Sequence, residues 1–235
     1  MHLILFDCDG TLSDTCGTIC ETMRRAFVTA GLKPPSDAAT MSIIGLSLVE
    51  AMEQLLPHGT AELYADLAKT YRETMWAMRD NGEVSDRLFP GIADLVADLA
   101  AREDVLLGIV TGKSRRGVEA ILSSHGLRAH FLPIRTADDC PSKPHPAMVQ
   151  ECCAEVGVAP SSTVVVGDAL FDMRMAVSAG ARAVGVAWGV TPPAMLREAG
   201  ADAVAGDTAE LGFLLSQWID GGHLDVCARE DVAPA

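Results

Sequence analysis

The sequence has few basic residues, no long apolar run and no cysteine motif. Its 235 residues contain 18 lysines and arginines against 32 aspartates and glutamates, a formal net charge of −14. This balance opposes binding to nucleic acid, which depends on positive charge. No apolar stretch reaches the ~18 residues of a membrane span, and the apolar run 3–6 is too short for a signal peptide. We therefore expect a cytoplasmic protein that binds neither nucleic acid nor membrane.

The cysteines form an odd set that lacks both CxxC pairs and the Cys/His spacing of a zinc site. They are Cys8, Cys16, Cys20, Cys140, Cys152, Cys153 and Cys227. Reduced thiols, buried as small apolar groups, fit this usage. Apolar residues make up 49% of the chain, enough for a substantial core.

Short apolar runs rich in β-branched residues alternate with amphipathic helices along much of the chain. The predicted strands are 3–6, 105–110, 130–135, 163–166 and 183–187. Three helices are predicted between the last four: from the cap Ser114 to Gly126, from Pro144 to Gly157, and over 170–179. This alternation predicts an α/β fold with a doubly wound parallel sheet, in which ligands bind at the carboxyl ends of the strands.

The first two predicted strands are separated by a long stretch that has helical periodicity throughout. One helix is predicted up to Gly31 and another over 61–79. The stretch is too long for a single crossover, so we expect an inserted domain. Residues 15–85 are predicted to form a helical cap domain, and residues 1–14 and 86–235 the α/β catalytic core. The tail 221–235 mixes polar, small and proline residues and is expected to be loosely ordered.

Asp7 and Asp9 follow the first predicted strand, in the motif Asp-Cys-Asp-Gly-Thr. Side chains alternate along an extended chain, so the two carboxylates can face the same way, and Gly10 permits the turn that follows. Two such charges 4 Å apart repel by about 4 kcal/mol at an effective dielectric near 20. The pair therefore favours a shared proton or a bound metal. A turn with solvated carboxylates is the alternative.

Further polar groups follow the ends of other predicted strands. Thr111 and Gly112 offer a hydroxyl and a backbone N–H at a helix N-terminus, a geometry that suits a phosphate oxygen. Lys143 opens the next helical region, and Asp168 and Asp172 follow the fourth strand. Each signal alone is also typical of a helix cap or a surface charge. Together with the first two carboxylates they predict one crevice with the hard oxygen ligands of a Mg²⁺ site.

The ordered motifs resemble those of the haloacid dehalogenase (HAD) superfamily of aspartyl phosphotransferases, in particular its phosphoglycolate phosphatase-like branch with a helical cap. The motifs are DCDGT at 7–11, TG at 111–112, KPHP at 143–146 and GDALFD at 167–172. The resemblance covers nearly the whole chain. It implies a Rossmann-like core and a Mg²⁺-dependent phosphoric monoester hydrolase that acts on a small phosphorylated metabolite, as a monomer or homodimer.

The resemblance also implies the role of each site residue. Asp7 is the nucleophile that becomes an aspartyl phosphate, and Asp9 is the general acid and base. The catalytic set also includes Thr111 and Lys143. The binding roles fall to Thr111, Gly112 and Lys143 for the phosphate and to Asp7, Asp9 and Asp168 for the metal, with Asp172 in support.

Other protein classes share parts of this pattern. A sugar phosphomutase, similar to β-phosphoglucomutase, shares all four motifs and differs chiefly in the cap, so it stays open. A receiver-like phospho-switch is disfavoured because Lys143 precedes Asp168 here. The dehalogenase and phosphonatase branches would lack Asp9, and a non-catalytic binding protein would be expected to have lost one of the acids.

The substrate is left open by the sequence. Phosphoglycolate, a sugar phosphate, pyrophosphate and a nucleoside monophosphate all fit the motifs. Gly45 resembles a specificity loop of the cap and equally fits a turn between helices. Basic side chains in the predicted cap either meet a second anionic group of the substrate or form solvated helix faces; these are Arg24, Arg25, Lys69 and Arg72.

Overall fold

The computed structural model describes residues 1–221, 223 and 224. Within them a six-stranded sheet has the order β3-β2-β1-β4-β5-β6, with every neighbouring pair parallel. The strands are β1 (His2–Phe6), β2 (Val105–Val110), β3 (Phe131–Arg135), β4 (Thr163–Gly167), β5 (Arg182–Val186) and β6 (Ala203–Ala205). The predicted α/β fold with a parallel sheet is confirmed. The switch in strand order beside β1 marks the edge where ligands bind in such sheets.

Helices cover both faces of the sheet because side chains of successive strand residues point to opposite sides. Ile4 and Phe6 of β1 pack in one apolar cluster, and Leu3 and Leu5 pack in another. The helices of the core are α5 (Ile92–Ala100), α6 (Arg115–Ser124), α7 (Ala147–Val156), α8 (Leu170–Ala179), α9 (Pro193–Glu198) and α10 (Thr208–Gly221). The cluster that contains Ile4 includes residues of α5, α6 and α10, and the other includes residues of α7, α8 and α9.

The predicted strands all exist, with ends that differ by at most one residue from those of the structure. Ser114 caps α6 as predicted, accepting a hydrogen bond from the Gly117 N–H. The predicted start of α7 at Pro144 is wrong. This helix begins at Ala147, because a residue that precedes a proline, such as His145 before Pro146, is biased away from helical conformation.

Four helices occupy the long stretch between β1 and α5: α1 (Cys16–Thr29), α2 (Asp37–Met41), α3 (Leu48–Leu55) and α4 (Ala61–Asp80). They share an apolar cluster of their own, whose buried members include Met23, Phe27, Met52 and Leu67. The assignment of residues 15–85 to a separate cap domain, and of 1–14 and 86–235 to the core, stays a prediction. No helix in the described residues is long and apolar enough to cross a membrane.

The tail at 221–235 begins inside α10, where Gly221 is the last helical residue. Leu224 is buried against the core. The rest of this predicted loosely ordered segment, residue 222 and residues 225–235, lies outside the described residues.

Candidate active site

The structure brings the predicted residues together at the carboxyl edge of the sheet. Asp7 follows β1, Thr111 follows β2 and Asp168 follows β4, and these three strands are neighbours. The Asp7 N–H donates to the Val166 carbonyl of β4 at 2.9 Å, so the hydrogen bonding of the sheet continues to the first carboxylate. Lys143, in the loop after β3, enters the same region and is 1% exposed.

Asp7 is a buried carboxylate with Lys143 as its ionic partner. Lys143 Nζ lies 2.8 Å from Asp7 Oδ1 in a buried ion pair, and both carboxylate oxygens are sealed from solvent. The ammonium offsets part of the cost of burying the carboxylate. Because no other donor among the described residues reaches Asp7, its carboxylate keeps lone pairs for a nucleophilic role or for a metal.

Lys143 lies between two carboxylates, those of Asp172 and Asp7. Its Nζ donates to Asp172 Oδ1 at 2.6 Å, and the other oxygen of Asp172 accepts from the Ala169 N–H at 3.0 Å. Burial alone would lower the pKa of Lys143, but Asp172 and Asp7 raise it well above its usual value. Lys143 is thus a fixed positive charge beside Asp7, and Asp172 holds it there.

Asp168 is oriented by two donors that the sequence analysis did not identify. Its oxygens accept from Thr11 Oγ1 and from the Val190 N–H, each at 2.9 Å. Burial, followed by the charges of Asp7 and Asp172, raises the pKa of Asp168 to about 8. Gly10 makes this packing possible, because a Cβ there would lie 2.2 Å from Asp168 Oδ2 and its φ is +81°.

Three carboxylates fit a divalent cation. Asp7, Asp168 and Asp172 each offer an oxygen, and the three oxygens lie within 4.8 Å of one another. Burial is the main cause of the raised pKa of Asp168, and the charges of Asp7 and Asp172 add to it; a bound cation would offset both effects. The oxygens of Asp7, which accept from no other donor than Lys143 among the described residues, give a second reason that the donor set fits a metal with oxygen ligands. That these residues can hold a divalent metal follows from the donor set; the identity of the metal is a separate question.

The side chain of Asp9 lies outside this carboxylate group. It accepts hydrogen bonds from Lys113 Nζ at 2.7 and 3.0 Å and from Thr15 Oγ1. Burial acts to lower the pKa of Lys113, but Asp9 and Cys8 raise it, and the net shift is upward. Lys113 follows the Thr-Gly motif directly, but the sequence assigns it no role, because only the fold shows that this loop faces the one after β1.

The predicted phosphate-binding residues lie beneath the helical insert. Thr111 is buried, and its Oγ1 accepts from the Lys113 N–H at 3.3 Å. A Cβ on Gly112 would lie 2.5 Å from the Gly45 carbonyl oxygen and 2.6 Å from that of Leu46. The loop before α3 is therefore in direct contact with the Thr-Gly turn.

A second contact joins the insert to the core, where the Ser47 N–H donates to Ser142 Oγ at 2.8 Å. Gly45 has a φ of +101° and also lines the cavity above the carboxylates, so it is a turn and a wall of the site at once. This cavity, of about 230 Å³, includes Asp7, Asp9 and Thr111 in its lining.

The basic residues of the insert do not converge on the site. Arg24 and Arg25 pair with acidic side chains at partly exposed positions, and Lys69 lies 3.9 Å from Glu73 in solvent. Arg72 lines the cavity, yet its side chain is exposed. Arg24, Arg25 and Lys69 therefore lie on solvated helix faces.

A parallel α/β sheet with four acids and a lysine at its carboxyl edge, covered by inserted helices, is the architecture of a phosphoryl-transfer hydrolase. The chain matches the family of haloacid dehalogenase-like hydrolases over residues 4–186. It belongs to this family, which confirms the resemblance drawn from the four motifs.

Relatives of this chain, by sequence and by structure, support the family assignment. The chain is 31% identical over 202 residues to a probable phosphatase IndB of Dickeya dadantii, covering 84% of this chain and 86% of that protein. It is 30% identical over 191 residues to a phosphoglycolate phosphatase of Synechococcus elongatus, covering 80% and 85%. A hydrolase from Pseudomonas syringae shares the fold with a TM-score of 0.82, at 24% identity over 92% of this chain and 99% of that one. The predicted enzyme class is thus supported by relatives named as phosphatases.

Proposed function

We propose that this protein is a Mg²⁺-dependent phosphatase that hydrolyses a small phosphate monoester through an aspartyl phosphate on Asp7. The observation that carries the proposal is the position of Asp7, a buried carboxylate at the cavity whose only ionic partner among the described residues is the ammonium of Lys143, 2.8 Å away. The relatives named as phosphatases support the same reaction.

The substrate phosphate would bind beside Asp7, against the Thr111 hydroxyl, the Gly112 N–H and the ammonium of Lys143. A Mg²⁺ ion held by Asp7, Asp168 and the Asp9 main-chain carbonyl would supply charge compensation between the carboxylate and the phosphate dianion. Lys143 provides further compensation from its fixed position. Asp172 supports the site by holding this lysine.

The chemistry takes two steps. An Asp7 oxygen bonds to phosphorus as the bond to the ester oxygen breaks, and Asp9 gives its proton to the departing alkoxide. Asp9, now a carboxylate, takes a proton from a water molecule that attacks the acyl phosphate, which releases phosphate and restores Asp7. Lys113 and Thr15 hold the carboxylate form of Asp9, which takes the proton from water. The acid form, which protonates the alkoxide, carries its proton on Oδ2, so that Lys113 and Thr15 then keep only their contacts with Oδ1.

The inserted helices limit what enters the site. Because the loop at 45–47 contacts Gly112 and Ser142, the cavity holds a small ester and excludes bulk water. The partner is therefore a small phosphorylated metabolite. A cytoplasmic location and a monomeric or homodimeric state remain part of this proposal.

A sugar phosphomutase is the alternative within the same family. A mutase would pass the phosphoryl group from Asp7 to a sugar hydroxyl instead of to water, so its product would be an isomeric sugar phosphate. Analysis of products from glucose 1-phosphate separates the two, because a phosphatase releases inorganic phosphate and a mutase does not.

Phosphate release from a panel of small esters tests the proposed function. The wild-type protein should act only with a divalent cation, lose activity in EDTA and regain it with Mg²⁺, while Ca²⁺ should substitute poorly because it favours looser coordination. Lys69→Gln, at an exposed position outside the cavity lining, is the control and should show the same dependence on the cation as the wild type. Full activity after exhaustive dialysis against EDTA would contradict the metal assignment.

A further inference from the structure

The cavity above Asp7 is lined by catalytic groups of the core and by apolar side chains of the inserted helices. The apolar wall is built by side chains of α1, the loop before α3, α3 and α4. These are Ile19, Met23, Ile44, Leu48, Met75 and Trp76. Asp7 and Asp9 follow β1 and line the same cavity, so an ester whose phosphate lies at Asp7 would place its alcohol half against this wall.

The cations that line the cavity are committed elsewhere or lie at its outer end. Lys113 binds Asp9, and Arg79 donates to both oxygens of Asp86, one of them at 2.9 Å. Arg72 is exposed and also lines an outer groove, whose other charged members are Glu73, Asp80, Arg116 and Asp138. Arg116 lies over the Trp76 ring, 3.6 Å from its centroid, and is not part of the cavity lining. An anionic group on the alcohol half would therefore find no dedicated counter-charge on the inner wall.

The hydrogen-bonding groups of the wall are also largely occupied. Ser114 caps α6, and the Ser47 hydroxyl donates to Glu50 in the first turn of α3. Glu50 thus places negative charge at the helix N-terminus that borders the cavity, where an anion would otherwise be favoured. Tyr71 and Trp76 add one O–H and one N–H on otherwise apolar rings.

A carboxylate or a sugar would lose its hydration in such a cavity without full replacement, whereas an apolar group would gain from burial. We infer that the alcohol half of the substrate is an uncharged group with an apolar body, such as an aryl-substituted or branched alkyl alcohol. This inference rests on the proposed phosphatase activity and narrows its substrate class. The inferred substrate class differs from phosphoglycolate, the substrate in the name of the relative from Synechococcus elongatus.

Steady-state kinetics with matched esters test the inference. Benzyl phosphate, phosphoglycolate and glycerol 3-phosphate all release alkyl alcohols, so differences in kcat/KM report mainly how the alcohol half is bound. We expect kcat/KM for benzyl phosphate to exceed both others at least tenfold. In the series ethyl, butyl and hexyl phosphate, kcat/KM should rise about threefold per methylene until the cavity is filled.

Two variants of α4 test whether the apolar wall causes the preference for benzyl phosphate. Met75→Gln keeps the size of the side chain and adds an amide to the wall, and it should lower kcat/KM for benzyl phosphate about tenfold, mainly through KM. Phosphoglycolate turnover should not fall in parallel. Ala65→Gln, at an exposed position of the same helix outside the cavity, is the control.

The outcomes separate the two claims. If phosphoglycolate or glycerol 3-phosphate is hydrolysed as well as benzyl phosphate, the inference fails and the proposed phosphatase stands. If no ester is hydrolysed, the proposed function fails as well. Should Met75→Gln not fold, the alkyl series on the wild-type protein decides, since a flat series overturns the apolar wall as a specificity element.

Discussion

Lys113 Nζ lies 2.7 and 3.0 Å from the two carboxylate oxygens of Asp9, so a lysine from the loop after β2 holds the predicted acid–base group. Thr15, just before α1, donates to the same carboxylate from another side. Two donors from distant parts of the chain fix one orientation of this carboxylate, and both Lys113 and Asp9 line the cavity.

Replacing Lys113 tests whether this orientation matters for catalysis. Lys113→Met should lower kcat for an alkyl phosphate by about 10- to 100-fold, because general acid–base catalysis depends on a positioned group. Lys113→Arg should restore part of the rate. Inhibition by inorganic phosphate should change little, since Lys143 and Thr111 hold the phosphate. An unchanged kcat in Lys113→Met, with a normal melting temperature, would rule out a positioning role.

The sequence predicts those parts of the site that depend on strand ends. Asp7, Thr111 and Asp168 each follow an apolar run, and the carboxyl ends of parallel strands share an edge, so their convergence could be expected. The contacts of Lys113 with Asp9 and of Thr11 with Asp168 join residues 104 and 157 positions apart. No local pattern indicates such pairs, because they depend on how loops meet after folding.

Missed elements of the fold have two different causes. β6 has three residues, too few for a periodic signal. α10 carries a regular apolar stripe at Leu211, Leu214, Leu215 and Trp218, so the sequence did contain its signal. α5 similarly buries Ile92, Leu95, Val96 and Leu99.

Gly112 provides a test of the contact between the inserted helices and the core. In Gly112→Ala the new Cβ would lie within 2.6 Å of the Gly45 and Leu46 carbonyl oxygens, so the loop must move. We expect kcat/KM to fall at least tenfold with little change in melting temperature, because the displaced loop opens the cavity. Gly17→Ala is the matched control, since no atom lies within 4 Å of a Cβ there. Equal losses in both variants would contradict the contact.

The carboxylate cluster predicts a pH-dependent stability in the metal-free protein. Burial, followed by the charges of Asp7 and Asp172, raises the pKa of Asp168 to about 8 from 3.8. Burial also raises the pKa of Asp172, against the lowering effect of Lys143. Between pH ~4 and 8 the unfolded chain has released the Asp168 proton while the folded chain retains it, so the free energy of unfolding falls as pH rises. Lys143, with its raised pKa, stays charged throughout this window.

Melting temperatures in EDTA should therefore fall by several degrees from pH 5 to pH 8. Mg²⁺ should reduce this loss, because a bound cation offsets the charge that the lost protons expose. Asp168→Asn should show a flatter pH profile in EDTA and a smaller stabilisation by Mg²⁺. Identical pH profiles for the wild type and this variant would exclude the cluster as the cause.

Asp7 and Asp9 have different surroundings, so we expect substitution of each to have a different effect on the reaction. Asp7→Asn should abolish turnover, because an amide is a poor nucleophile and no aspartyl phosphate can form. The fold should persist, since Lys143 keeps its hydrogen bond to Asp172 when Asp7 loses its charge. Measurable turnover in Asp7→Asn, with deamidation excluded by mass spectrometry, would argue against this nucleophile.

Asp9→Asn should fail at a later step. With an activated aryl phosphate the leaving group needs little protonation, so Asp7 would still be phosphorylated, whereas hydrolysis of the aspartyl phosphate would stall for lack of a base. Rapid-mix kinetics should show a burst of up to one equivalent of aryl alcohol per site followed by near-zero turnover. The phosphate should stay on the protein as a hydroxylamine-labile acyl phosphate. Turnover at the wild-type rate, or label on a residue other than Asp7, would show that the two carboxylates do not divide the reaction in this way.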